Sequence, residues 1–118
     1  MPEQTQDSPL ALDVECSDDC AVVRLSGRLG MGVNDMLYAR VSRLIPNHKR
    51  IVLDLTDLKS MDSLGLGTLV RLYVSAKAGG SAIELVNLRP RIRELFAITN
   101  LLSVFSVIGE HHGTSFRC

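Results

Sequence analysis

The residues best suited to chemistry or binding are concentrated in one short segment, SMDSLGLG, at positions 60–67. It places a carboxyl group, Asp62, directly before a hydroxyl group, Ser63, and follows them with Gly65 and Gly67. A glycine inside a helix costs about 1 kcal/mol relative to alanine. We therefore expect both glycines to permit close approach, either by another backbone segment or by a partner. The simpler interpretation is that Asp62 or Ser63 caps a helix that begins here.

No other part of the sequence has an arrangement typical of a catalytic or metal site. Ser63 has no neighbouring base, so it is better suited to be the substrate of another enzyme than to act as a nucleophile. Cys16 and Cys20 supply only two potential ligands, which is too few for a structural zinc site. The pair His111 and His112 lies in a polar segment near the C-terminus. We predict no enzyme activity, no metal and no cofactor.

Composition excludes several other classes of function. Lys and Arg total 13 residues and Asp and Glu also total 13, so the formal charge is zero. Nucleic-acid binders usually carry a basic excess, and binding to anionic membranes usually needs a polybasic segment. Residues 1–9 have neither a cationic start nor an apolar stretch, and no apolar run approaches the roughly 18 residues of a membrane span. We therefore expect a cytoplasmic protein with no nucleic-acid or membrane partner.

Hydrophobic periodicity predicts one α/β domain with the order β-β-α-β-α-β-α-β. The opening reads as a hairpin that ends near Gly27, followed by a helix over 33–45. Residues 51–55 form a strand apolar enough to be buried on both faces. A loop is predicted over 56–61, a helix over 64–78, a strand over 82–86, a helix from Pro90, and a last short strand within 101–108. The sheet should be mixed, with an antiparallel hairpin at its start and otherwise mainly parallel strands, packed with helices.

The same pattern predicts the core and the limits of the domain. We expect the chain to be buried at Leu53, Leu66, Leu69, Val70 and Phe96. Residues 1–9 should form a disordered tail and residues 10–108 a single domain. Residues 109–118 are polar and should form a frayed C-terminal tail.

Two consecutive segments, RIVLDL at 50–55 and MDSLGLG at 61–67, resemble the STAS-domain family. The sequence is most similar to the small, single-domain anti-sigma-factor antagonists of bacteria. Three further segments agree with the family: LSGRL at 25–29, GGS at 79–81 before IELV, and PRIRELF at 90–96. The resemblance covers most of the chain.

The resemblance implies a regulatory switch in transcription, made by protein–protein interaction. Members of the family bind an anti-sigma factor that is also a serine kinase, and they thereby free the sigma factor. The kinase phosphorylates the serine directly after the motif aspartate, which is Ser63 here, and this phosphorylation inactivates the antagonist until a serine phosphatase restores it. The chain itself should be a monomer or a weak dimer. The predicted docking surface combines two loops and consists of Arg28, Gly30, Met31, Ser60, Met61, Asp62, Ser63, Leu64 and Gly65.

The sequence departs from the family pattern at three positions of this surface. The family often has an acidic residue where this chain has Gly30, and Glu is common where it has Arg28. Leu64 replaces a serine that often follows the phosphoacceptor, so Ser63 is the only hydroxyl within residues 62–67. The changes at Arg28 and Gly30 bear on which partner the surface recognises.

Two other interpretations stay open at this point. The chain could be a STAS subunit of a larger signalling or transport assembly without a phosphate cycle. It could also be a response-regulator receiver, with Asp54 as the phosphoacceptor. A receiver needs an acidic pair after its first strand and a later lysine, and no lysine follows Lys77. We therefore interpret Asp54 as a residue at the end of the central strand.

Overall fold

The computed structural model describes residues 9–107, with the side chains of Ser106 and Val107 excepted. In this range the chain forms five strands and three α-helices in the predicted order: β1 (Leu10–Cys16), β2 (Cys20–Leu29), α1 (Asn34–Ser42), β3 (Arg50–Met61), α2 (Ser63–Ala78), β4 (Ala82–Val86), α3 (Pro90–Ile98) and β5 (Ser106–Val107). The five strands lie side by side in sequence order. Only β1 and β2 are antiparallel, and all later neighbours are parallel. This mixed sheet confirms the predicted fold class.

The two predicted tails lie almost entirely outside the described residues. Pro9, the last residue of the predicted N-terminal tail, is described, and its carbonyl accepts a hydrogen bond from the Arg28 N–H at 2.7 Å. The limits of the domain therefore stay a prediction.

Strand β3 is the centre of the sheet, as predicted, and residues 51–55 are fully buried. Because side chains alternate along a strand, Ile51, Leu53 and Leu55 point to one face. There they join a hydrophobic core to which all three helices contribute buried residues. Val52 points to the other face and packs in a smaller cluster with Val22 and Val86. The helices are therefore fixed against one face of the sheet.

The loop predicted over residues 56–61 is wrong, because β3 continues to Met61. This extension pairs with the end of β2, which itself continues past Gly27 to Leu29. Gly27 does not break β2; it adopts φ 104° at an irregularity in the pairing, where a side chain would collide with the Pro9 carbonyl. Since Leu29 pairs with Met61, the two strands end side by side. The loop after β2 and the start of α2 are therefore neighbours.

The first helix is shorter than predicted and the second begins one residue earlier. Helix α1 ends at Ser42 rather than near residue 45, and a short 3-10 helix (Ile45–Asn47) follows. Pro46 accounts for this, because it cannot donate to the Ser42 carbonyl and it disfavours the α conformation at Ile45. Helix α2 includes Ser63, which the prediction had placed just outside it.

Four of the five predicted core residues are buried, namely Leu53, Leu66, Leu69 and Phe96. Val70 was predicted to be buried but is only half-buried, because it lies at the edge of the core cluster. Within residues 9–107, the helices are all too short or too polar to cross a membrane.

Candidate functional site

Asp62 joins the two loops of the predicted docking surface. Its Oδ1 accepts a hydrogen bond of 2.8 Å from the Gly65 N–H, which makes it the N-cap of α2. Its Oδ2 lies 3.3 Å from the Met31 nitrogen and accepts that N–H. The capping interpretation of Asp62 is thus confirmed. The same carboxylate also ties the loop after β2 to the start of α2, which the sequence did not reveal.

The lack of a side chain at Gly30 makes room for the contact between Asp62 and the Met31 N–H. A Cβ atom at Gly30 would lie 2.4 Å from the Asp62 Oδ2. Any side chain at this position would therefore push the Asp62 carboxylate away from the Met31 N–H. Gly30, which departs from the family pattern, therefore leaves the space that the Asp62 carboxylate needs to accept the Met31 N–H.

The two motif glycines have different environments. A Cβ at Gly65 would lie 2.6 Å from the Leu29 carbonyl oxygen, so Gly65 lets α2 approach the end of β2. This confirms close approach by another backbone segment as the use of Gly65. Gly67 is exposed, and a Cβ there would meet no atom within 4 Å. Packing within the described part of the chain therefore does not explain why α2 has a glycine at position 67, where glycine lowers the stability of the helix.

Ser63 is the first residue of α2 and is exposed. Its hydroxyl forms no side-chain hydrogen bond with any described residue. The free N–H groups of a helix N-terminus favour a negative charge placed beside them. The hydroxyl is thus accessible to an enzyme, and a phosphate on it would not conflict with the helix.

The loop after β2 and the start of α2 each carry one exposed apolar side chain. Met31, in the loop after β2, is 79% exposed, and Leu64, the next residue along the helix, is 51% exposed. Large apolar side chains grouped on the surface are typical of binding sites rather than of free surface. Met31 lies in the loop that Asp62 ties to the start of α2, and Leu64 directly follows Ser63 in the helix.

The remaining predicted site residues lie around an open cleft of about 340 Å³ between the ends of β2 and β3. Arg28, at its edge, is exposed and forms no ion pair with any residue in the range 9–107. The structure thus brings together the two predicted loops, and their role in binding stays a prediction. The cleft is lined by Pro9, Arg28, Leu29, Gly30, Met31, Ser60, Met61 and Asp62.

Asp54 lies inside β3 rather than at its end, so the interpretation as a strand-end residue is wrong. Its side chain is buried, and its Oδ1 accepts hydrogen bonds from the Thr56 N–H at 3.0 Å, the Thr56 hydroxyl at 2.6 Å and the Asn87 amide at 3.2 Å. Its Oδ2 lies 3.9 Å from the Arg24 Nε. A carboxylate in this network is not accessible to a phosphodonor, which argues against the receiver interpretation. Asp54 pairs with Val86, the last residue of β4, and the network links β3 to Asn87 directly after it.

The part of the chain that the structure describes contains no group of three or more His, Cys, Asp or Glu side chains that could hold a metal ion. His111 and His112 lie outside the described residues. The described residues therefore give no indication of a metal site at the Ser63 surface.

Comparison with known proteins decides the family. The sequence profile of the STAS domain matches residues 11–114. The chain belongs to the STAS-domain family. The anti-sigma-B factor antagonist of Bacillus subtilis (strain 168) is 26% identical over 102 residues, which cover 86% of this chain and 94% of the relative.

Solved structures show the same fold. The anti-sigma factor antagonist SpoIIAA in its unphosphorylated form superposes with a TM-score of 0.75 at 23% identity, covering 86% of this STAS chain and 90% of SpoIIAA. The Bacillus cell fate determinant SpoIIAA in the phosphorylated form gives a TM-score of 0.71 at 23% identity, covering 86% and 93%. The STAS fold of this chain therefore resembles both forms of that protein.

Proposed function

We propose that this STAS chain is an anti-sigma-factor antagonist that binds an anti-sigma factor with serine-kinase activity and is inactivated by phosphorylation of Ser63. The observation that carries the proposal is the placement of the Ser63 hydroxyl. It is exposed at the first residue of α2, directly before the exposed Leu64 and directly after Asp62, which joins the helix to the loop that carries Met31. The bacterial relatives named as anti-sigma factor antagonists support the same role.

The chain is the substrate in the phosphorylation step, and the kinase supplies the catalysis. The Ser63 oxygen forms a bond to the γ-phosphorus of ATP held by the kinase. The bond from that phosphorus to the β–γ bridging oxygen breaks, ADP leaves with the electron pair, and the hydroxyl proton passes to a base of the kinase. A serine phosphatase reverses the change by hydrolysis, with water supplying the new oxygen of inorganic phosphate.

Phosphorylation is expected to act on binding and not on folding. It adds about −1.5 to −2 charges and three acceptor oxygens, and a partner docked over Ser63 would have to desolvate them. A loss of about 3 kcal/mol in binding free energy corresponds to roughly 100-fold in affinity. The helix N-terminus tolerates the same charge, and the phosphorylated form of SpoIIAA keeps the fold that this chain shares.

The other surface residues have distinct parts in this proposal. Met31 and Leu64 are the apolar anchors, because they are large and exposed. Arg28, which forms no ion pair with any residue in the range 9–107, supplies a cation that would select an acidic group on the partner. Gly30 and Gly65 allow the two loops to lie close enough together to form one binding surface. The switch would operate in the cytoplasm, with residues 10–108 as its functional unit in a monomer or a weak dimer.

The experiment that tests the proposal is identification of the partner and of the modified residue. The full chain is used as bait in a bacterial extract, and a captured kinase is purified and incubated with the chain and ATP. We expect one acid-stable phosphate, placed on Ser63 by mass spectrometry, and none on a Ser63→Ala variant. A Ser103→Ala variant, which changes an exposed serine outside this surface, is the control and should be modified normally. An acid-labile, hydroxylamine-sensitive phosphate on Asp54 would contradict the proposal and support a receiver.

A further inference from the structure

The outer face of α2, which is the exposed side of the helix, lacks a side chain at Gly67. An exposed helix position needs no glycine, and nothing within 4 Å would obstruct a Cβ atom here. Gly65 differs, because a side chain there would collide with Leu29. Replacing glycine by alanine at an unstrained helix position normally stabilises a protein. The described fold therefore gives no reason for a glycine at position 67.

The outer face of α2 is continuous with the Ser63 surface. Residues three or four apart are neighbours on a helix, so Ser63 and Leu64 lie one turn before Gly67, and Arg71 lies one turn after it. Val74 follows on the same face and is 58% exposed, while Leu64 is 51% exposed. The face thus carries an exposed apolar side chain at each end, with Gly67 and Arg71 between them.

Charge indicates what kind of group covers this face. Helix α2 contains no acidic residue, and its cations are Arg71 and Lys77. The Arg71 guanidinium lies 4.2 Å from the centre of the Tyr38 ring, which holds the side chain in place. Among residues 9–107 it has no carboxylate partner. A positioned cation without a counter-charge favours a partner that brings a carboxylate.

We propose that the kinase that covers Ser63 also lies along the outer face of α2, and that its backbone comes closest at Gly67. The contacting segment presents apolar side chains to Leu64 and Val74 and a carboxylate to Arg71. This inference rests on the proposed function and adds the extent of the surface and the chemistry of the segment that meets it.

The test compares stability and binding in the same variants of the full chain. Gly67→Ala should raise the melting temperature by about 4 °C, since it removes backbone entropy from the unfolded chain. Its affinity for the captured kinase should fall at least threefold, and that of Gly67→Leu at least tenfold, because the added atoms separate the two backbones. Ala39→Leu adds bulk at an exposed position of α1 and is the matched control, which should bind as the wild type does.

The charge of the partner is tested on the same helix. Arg71→Glu should lower the affinity at least tenfold. Lys77→Glu changes the net charge equally but lies on another side of α2, and it should have a smaller effect. Equal losses in both variants would contradict a carboxylate contact at Arg71.

The outcomes separate this inference from the proposed function. If Ser63→Asp weakens binding while both Gly67 variants bind as the wild type does, the extended surface is wrong and the switch stands. If Ser63→Asp also binds as the wild type does, the switch itself fails. If the chain captures no kinase, both fail. Opposite changes in stability and affinity in Gly67→Ala are the result that supports the inference.

Discussion

Replacing Ser63 by aspartate is expected to weaken binding of the kinase at least tenfold without changing the fold. The new carboxylate occupies the first residue of α2, where a negative charge is tolerated or favoured. Stability should therefore change by less than about 0.5 kcal/mol, as for most surface substitutions. At the interface the same charge would lie under a docked partner, and a desolvated charge without a counter-charge is costly.

Ser63→Ala is the matched control for this prediction. It removes a hydroxyl that makes no side-chain hydrogen bond with a described residue, so binding should be nearly unchanged. Isothermal titration calorimetry with the captured kinase gives both affinities, and circular dichroism checks both folds. A Ser63→Asp variant that binds as tightly as Ser63→Ala would show that the partner does not cover this position.

Replacing Leu69 by alanine is expected to destabilise the domain by about 2–5 kcal/mol, the usual cost of truncating a buried leucine. Leu69 is fully buried on the face of α2 that packs on the sheet, in one cluster with Leu53 and Leu55. A domain of this size is stable by only about 5–15 kcal/mol in total. The variant should thus lose a large part of its stability, measured as a lower midpoint of urea unfolding.

Leu64→Ala is the control on the same helix. Leu64 is half exposed and outside the core cluster, so its truncation should change the unfolding free energy by less than about 0.5 kcal/mol. Equal effects of the two substitutions would mean that α2 packs with a different face. The two substitutions together therefore test which face of α2 packs in the core and which face is exposed to a partner.

The fold was predictable where apolar periodicity was strong. The alternation from Leu10, the apolar run at 51–55 and the apolar residues of α2 each match one face of one element, so element type and order follow directly. The extension of β3 to Met61 was not predictable in this way. Residues 56–61 are mostly polar, and they form a strand because they pair with β2, which is a long-range contact that local pattern does not report.

The residues of the candidate site were predictable from the sequence, but the contacts that join them were not. The DSLGLG motif identified Asp62, Ser63 and the glycines, and the pairing of two glycine-bearing loops, both expected after strands, added the loop after β2. The contact of Asp62 with the Met31 N–H and the space that Gly30 provides for it depend on two segments distant in sequence. The different roles of Gly65 and Gly67 could not be separated either, since only the packing of α2 on β2 shows which glycine is enclosed.

The most direct test of the switch is the affinity of the kinase for the chain before and after stoichiometric phosphorylation of Ser63. Wild-type protein is phosphorylated by the captured kinase and ATP, purified from it, and titrated against fresh kinase beside the unmodified chain. If phosphorylation is the switch, we expect a loss of affinity of about 100-fold, with the circular dichroism spectrum unchanged and full binding restored by phosphatase. Equal affinity of the two forms would contradict it and would favour a STAS subunit without a phosphate cycle.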